Sequence, residues 1–144
     1  MVNAPLPPPP DTDADHLRLL SIFHYIVGGL SLFFACFPFI HLILGLFLVI
    51  APDKFGHGSD QPPAFVGWFF VAIASFAILL GWTIGVLILV SGRFLARRVN
   101  YMFCFVIACL ECIVMPFGTV LGVFTIVVLN RPSVKAVFGA RSLV

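Results

Sequence analysis

The sequence predicts an all-α integral membrane helical bundle, with four transmembrane crossings as the preferred arrangement and three long kinked helices as the alternative. Three observations predict it. First, the 144-residue chain is 61% hydrophobic and only 10% charged, whereas soluble domains are about 45–50% apolar and about 25% charged. Second, the charges are segregated: none lies between Arg18 and Asp53 or between Asp60 and Arg93, and only Glu111 lies between Arg98 and Arg131. Charge-free apolar runs of this length suit helices, because a hydrocarbon core of ~30 Å needs about 20 helical residues. Strands of a membrane barrel would alternate apolar with polar residues, and these runs do not. Third, six of the eight Lys and Arg residues fall in two places, Arg93/Arg97/Arg98 and Arg131/Lys135/Arg141. Short basic segments stay on the cytoplasmic side. The chain between them must therefore cross an even number of times, or not at all. A formal charge of +2 is too small to suggest nucleic-acid binding.

Residues 1–15 read as a disordered tail, with Pro5, Pro7, Pro8, Pro9 and Pro10 followed by Asp11, Asp13 and Asp15. Such a segment has too little apolar mass to offset its ordering entropy. It also lacks the basic start and apolar core of a secretory signal. The helical bundle is expected over residues 16–134. Its first helix starts at Asp15–His16, with Asp15 as N-cap, and its apolar run extends to Ala51. Pro38 lies within that run. Proline removes a helical hydrogen bond and clashes with the preceding turn, so a kink is expected there. A hairpin is the alternative, but the arm after Pro38 would reach only ~18 Å.

Residues 52–63 form a polar loop with prolines at both ends. The second helix is expected from Ala64 to Ser91, with Trp68 as an interfacial anchor. Ala77, Gly81 and Gly85 place a small residue at every fourth position, on one face open to close approach of another helix. A basic loop follows. The break Met115-Pro116-Phe117-Gly118 then splits the next apolar stretch into arms over residues 94–114 and 117–134, each roughly 27–31 Å long. Gly118 and Gly122 repeat the small-residue pattern, which predicts that the second and fourth helices pack there or that one face forms a homodimer. Residues 135–144 read as a short basic tail.

Glu111 is the sharpest chemical signal, because a carboxylate in an apolar span is costly unless it is neutral, paired or wetted. It is a candidate ion or proton site. Its plainer reading places it near the outer turn, five residues before Pro116, where water reaches it. Cys109 and Cys112 form a Cys-x-x-Cys on one helix face, a candidate redox or metal pair that Cys104 or Met115 could extend. Against that, membrane-buried cysteine commonly serves as a small packing residue, and the loop 52–63 has no cysteine to relay electrons. His24 and His41 could ligate haem. They are ~25 Å apart along one helix, so one helix cannot supply both ligands. Hydrogen bonding to neighbouring helices is the preferred role for both, and no cofactor is expected.

The run from Pro116 to Phe124, followed by Asn130-Arg131-Pro132, resembles a C-terminal segment of many small, uncharacterised bacterial integral-membrane proteins that carry Pro-x-Gly-Thr-x-Leu-Gly. The segment from His16 to Tyr25 resembles the opening of one such group. The resemblance implies a bacterial inner-membrane protein and no assigned activity or catalytic residue. With it, the residues point to a non-enzymatic structural or accessory subunit, with the lipid bilayer, a homo-oligomer or a larger membrane complex as partners and both termini cytoplasmic. A small oligomeric channel or transporter using Glu111 is the second reading. A thiol redox or metal-handling protein using Cys109 and Cys112 is the third.

Overall fold

The structure, a computed structural model, describes residues 12–56, 63–113 and 117–141. All regular structure among them is helical: α1 (Thr12–Phe34), α2 (Pro38–Ile50), a 3-10 turn (Pro52–Lys54), α3 (Ala64–Arg97), α4 (Tyr101–Glu111), α5 (Phe117–Leu129) and α6 (Pro132–Arg141). Two stretches, Thr12–Ile50 with its break and Ala64–Arg97, are long and apolar enough to cross a membrane. The chain divides into two units. One holds the described residues up to Val27 and from Leu87 onward, and the other is Gly28–Val86. The boundary falls inside α1 and α3, so each unit is described by itself.

In the unit Gly28–Val86, Pro38 occupies the first turn of α2, where a missing N–H costs nothing. The bridge from α1 is a tight run of bonds, Cys36 N–H to Phe33 O (3.1 Å) and Phe37 N–H to Phe34 O (3.0 Å). The chain does not reverse there. A Cβ on Gly85 would meet Leu32, one on Gly81 would meet Ala35, and one on Gly45 would meet Phe70 and the Val71 backbone. Gly67 lies against Leu48 and Val49. As the residue number rises along α1 and α2 it falls along α3, so α2 continues the antiparallel path and Pro38 marks a kink. Gly45 and Gly67 let two backbones meet, since a Cβ on Gly45 would stand 3.0 Å from the Gly67 carbonyl.

The other unit contains the main apolar cluster, made of Leu17, Leu20, Leu95, Cys104, Val128, Leu129, Val134 and Phe138. On α4 the buried residues Cys104, Ile107, Ala108 and Glu111 follow the spacing of a single helical stripe. On α5 the stripe is Gly118, Leu121, Gly122, Thr125, Val128 and Leu129. The two stripes face each other: a Cβ on Gly122 would strike the Ala108 carbonyl and stand 2.8 Å from Cys112 Sγ.

Several boundaries differ from expectation. The helix begins at Thr12, so Asp15 lies inside its first turn rather than at the N-cap. Residues 1–11 and Pro116 lie outside the described residues. The second helix does not stop at Ser91 but runs through Arg93 to Arg97, because arginine is a good helix former and favours the negative end of the helix dipole. The basic loop shrinks to Arg98–Asn100. Arg98 (φ 56°) adopts the left-handed conformation, while Arg98 N–H binds Leu95 O and Val99 N–H binds Phe94 O, both at 3.1 Å. That is a Schellman cap with arginine where glycine is usual. The third and fourth arms are correspondingly short. With 11 residues, α4 is about 16 Å long, and with 13 residues, α5 is about 20 Å long. From Pro132 to Arg141 the chain forms α6, whose Val134 and Phe138 are buried.

Candidate functional site

Beside its apolar cluster, the unit formed by the described residues up to Val27 and from Leu87 onward buries a group of polar side chains. Ser21, His24, Ser91, Glu111 and Thr125 are all buried. They reach one interior because each lies on the inward stripe of its helix. On α1 that stripe is Leu17, Leu20, Ser21 and His24.

At its centre, His24 Nε2 and Glu111 Oε1 approach to 3.2 Å, with the residues 0% and 1% exposed. His24 Nδ1 lies 2.9 Å from the Leu20 carbonyl. A carbonyl can only accept, so Nδ1 carries a proton and Nε2 is the atom left to exchange one with the carboxyl group. The Nε2–Oε1 contact lacks hydrogen-bond alignment, and neither Glu111 oxygen nor Ser91 Oγ has another hydrogen-bond partner among the described residues. Glu111 is also the last residue of α4, where the helix dipole opposes a negative charge. The histidine is therefore the group that makes this carboxyl tenable.

Gly92 makes the pairing possible. A Cβ there would stand 2.8 Å from His24 Cβ and 3.3 Å from Ser21 O, so only glycine lets α3 lie this close to α1. Ser21 Oγ donates to Gly92 O at 2.7 Å and fixes the approach. Cys104 Sγ points to Ser91 O at 3.8 Å. Thr119 Oγ1 donates to Cys112 O at 3.0 Å, satisfying a carbonyl at the open end of α4.

The sequence candidates fare differently. Glu111 is near the end of its helix as expected, but it is buried against His24 rather than wetted at a turn. His24 bonds within its own helix and meets a carboxyl group. His41 is exposed and stacks on Phe70, with ring centroids 6.4 Å apart. Cys109 is exposed, whereas Cys112 is half-buried against Gly122 and donates to Ala108 O at 3.2 Å. No three His, Cys, Asp or Glu side chains converge as a metal site among the described residues, and Met115 lies outside them. Gly85 contacts Leu32 of α1, Gly81 contacts Ala35 just after it, and Gly122 contacts α4. Ala77 lines a shallow cavity with Pro38 and His41.

Sequence reasoning missed Ser21, Ser91 and Gly92. The available signal was the seven-residue repeat Gly67, Ala74, Gly81, Ile88 and Leu95 along α3, which marks its inward face and places Ser91 and Gly92 beside it.

Comparison with family models, with curated proteins and with solved structures finds no match to this chain.

Proposed function

We propose that this chain is a multi-pass membrane protein of the bacterial inner membrane that acts as a non-enzymatic structural or accessory subunit. In this reading α1–α2 and α3 cross the bilayer, while the α4–α5 hairpin enters it without crossing. One observation carries the proposal: large apolar side chains cover the outside of the helices, while the few buried polar groups face inward. Phe33, Phe65, Phe76 and Leu79 are each about 70% exposed or close to it, on helices that carry no charge over long stretches. Faces of this extent exceed what a soluble monomer leaves uncovered, and lipid or partner helices would cover them. Trp68, 62% exposed near the start of α3, suits the headgroup region.

The hairpin supports the second half of the reading. Arms of about 16 and 20 Å fall short of a ~30 Å core, yet the hairpin is flanked by Arg93, Arg97 and Arg98 on one side and by Arg131, Lys135 and Arg141 on the other. A re-entrant hairpin leaves both basic clusters cytoplasmic and keeps its backbone shielded by protein. The Arg131–Asp13 pair, at 3.1 Å, puts the start of α1 beside the start of α6.

Single cysteines on a background lacking the native four test this topology. Asn100→Cys and Ser142→Cys should label from the cytoplasmic face, and Ser59→Cys from the opposite face. Ile113→Cys, near the hairpin turn, should not label from the opposite face; if it does, the hairpin crosses. Gentle extraction should recover the protein with other membrane proteins or with copies of itself. Recovery as a lone monomer would count against the accessory role.

A further inference from the structure

We propose that His24 and Glu111 form an exchangeable proton-binding site, supplied through a groove that opens beside Ser21. This proposal does not depend on which helices cross a bilayer.

The argument begins with the atoms. His24 Nδ1–H is engaged by the Leu20 carbonyl, so Nε2 and Oε1, 3.2 Å apart, are the two atoms that can carry one titratable proton between the residues. With that proton the pair is neutral overall, whether written as imidazole with carboxylic acid or as imidazolium with carboxylate. Gain of a second proton from water leaves imidazolium facing carboxylic acid and a net charge of +1. Loss of the only one to water leaves a lone pair facing a carboxylate and a net charge of −1. Both alternatives place an unbalanced charge in a buried site, so each proton gained or lost is felt by the surrounding packing.

The site is built for a proton rather than a metal ion. It offers one imidazole nitrogen and one carboxylate, and no third metal-ligating side chain converges there among the described residues. Zinc takes four ligands and calcium six or more, whereas a proton is fully held by two.

A route is present. A groove of ≈ 470 Å³ is lined by Asp15, Arg18, Ser21, Leu95, Ala96 and Arg98, among others. Its charged residues lie toward the start of α1, and Ser21 lies one helical turn from His24 on the same stripe. Ser21 is itself bonded to Gly92 O, and Gly92 is the residue packed directly on His24. Beyond it, the unpartnered Ser91 Oγ and Glu111 oxygens supply polar atoms of the kind that hold buried water.

The electrostatic surroundings are simple. From α4 itself the titratable neighbours are the buried Cys104 and the half-buried Cys112. Packed on these helices, α3 brings the uncharged Ser91 and Gly92, while Arg93 is exposed. Thr125 on α5 is uncharged and bonded to Leu121 O. On α6, Lys135 is exposed. The charged side chains of α3 and Lys135 of α6 thus lie at the surface, and the thiols of Cys104 and Cys112 are the other titratable groups that α4 brings near the pair.

The test uses the full chain in nanodiscs with 15N-labelled histidine, His24 being assigned by loss of its signal in His24→Asn. Across a pH titration, the His24 ring signal and a carboxyl infrared band lost in Glu111→Gln should change over the same interval. In Glu111→Gln the His24 transition should move by about one pH unit or more. Filling the groove with Ala96→Phe should slow deuterium exchange at His24 by roughly tenfold or more. If a variant fails to fold, the wild-type titration and its deuterium exchange decide alone. A His24 signal that stays fixed while the protein remains folded, a transition unmoved by Glu111→Gln, or exchange unaffected by Ala96→Phe would each overturn the proposal.

Discussion

The two units of the molecule solve the same packing problem with opposite materials. Between Gly28 and Val86 the contacts are made by small residues: Gly85 on Leu32, Gly81 on Ala35, Gly45 on Gly67 and Phe70. Every buried polar or charged side chain among the described residues lies in the other unit, at Ser21, His24, Ser91, Glu111 and Thr125. Yet α3 runs through both with one seven-residue repeat. A glycine stripe permits close approach, and what it brings together depends on the facing helix. Opposite Gly81 it brings a methyl group. Opposite Gly92 it brings an imidazole and, behind that, a carboxyl group.

The contrast predicts different costs for substitution in the two regions. The largest effect is expected at the pair. Glu111→Leu or His24→Leu alone should destabilise the protein by about 3–5 kcal/mol, because the surviving polar partner is buried without relief. The double variant should recover much of that loss. Unfolding in mixed micelles, arranged as a double-mutant cycle, measures it. A coupling near zero would erase the distinction between the units.

Next come the glycines that touch backbone. Gly122→Leu would drive a side chain into the Ala108 carbonyl and Cys112, and Gly45→Leu into Phe70 and the Val71 backbone. Each should cost about 1–3 kcal/mol or more. Similar losses at the two sites would show that close backbone packing follows one rule in both units. Gly85→Ala should be milder, within about 1 kcal/mol of neutral, because its Cβ would press on the Leu32 side chain at 2.7 Å, with the nearest backbone atom, Gly28 O, at 3.4 Å, and alanine is the better helix former. The smallest change is a gain. Arg98→Gly relieves the left-handed strain at the α3 cap and should stabilise by about 1 kcal/mol, read as a raised midpoint in the same titration.

Much of this architecture was legible in the sequence because it is written in one dimension. Charge-free runs mark long helices, Pro38 marks a kink, and the spacing of Ala77, Gly81 and Gly85 marks a packing face. What was not legible is which helix covers that face. Nothing local to Gly81 says that its neighbour is Ala35. Nothing near Glu111 names His24, which lies far away along the chain. The boundaries failed for a related reason. Arg93 and Arg97 look like loop residues by charge, but the helix dipole and their propensity keep them helical. The C-terminal tail looks solvated by composition, but Val134 and Phe138 find a buried cluster to join.

The Glu111–His24 contact also has a place in time. The ribosome releases His24 with the first helix, and Glu111 only after α3 is complete. Through that interval the imidazole has no carboxyl group to meet. The chain therefore carries an internal mark of incompleteness, erased when α4 docks. Chains cut short before position 111 keep that mark exposed, which would distinguish an unfinished product from a finished one during biogenesis.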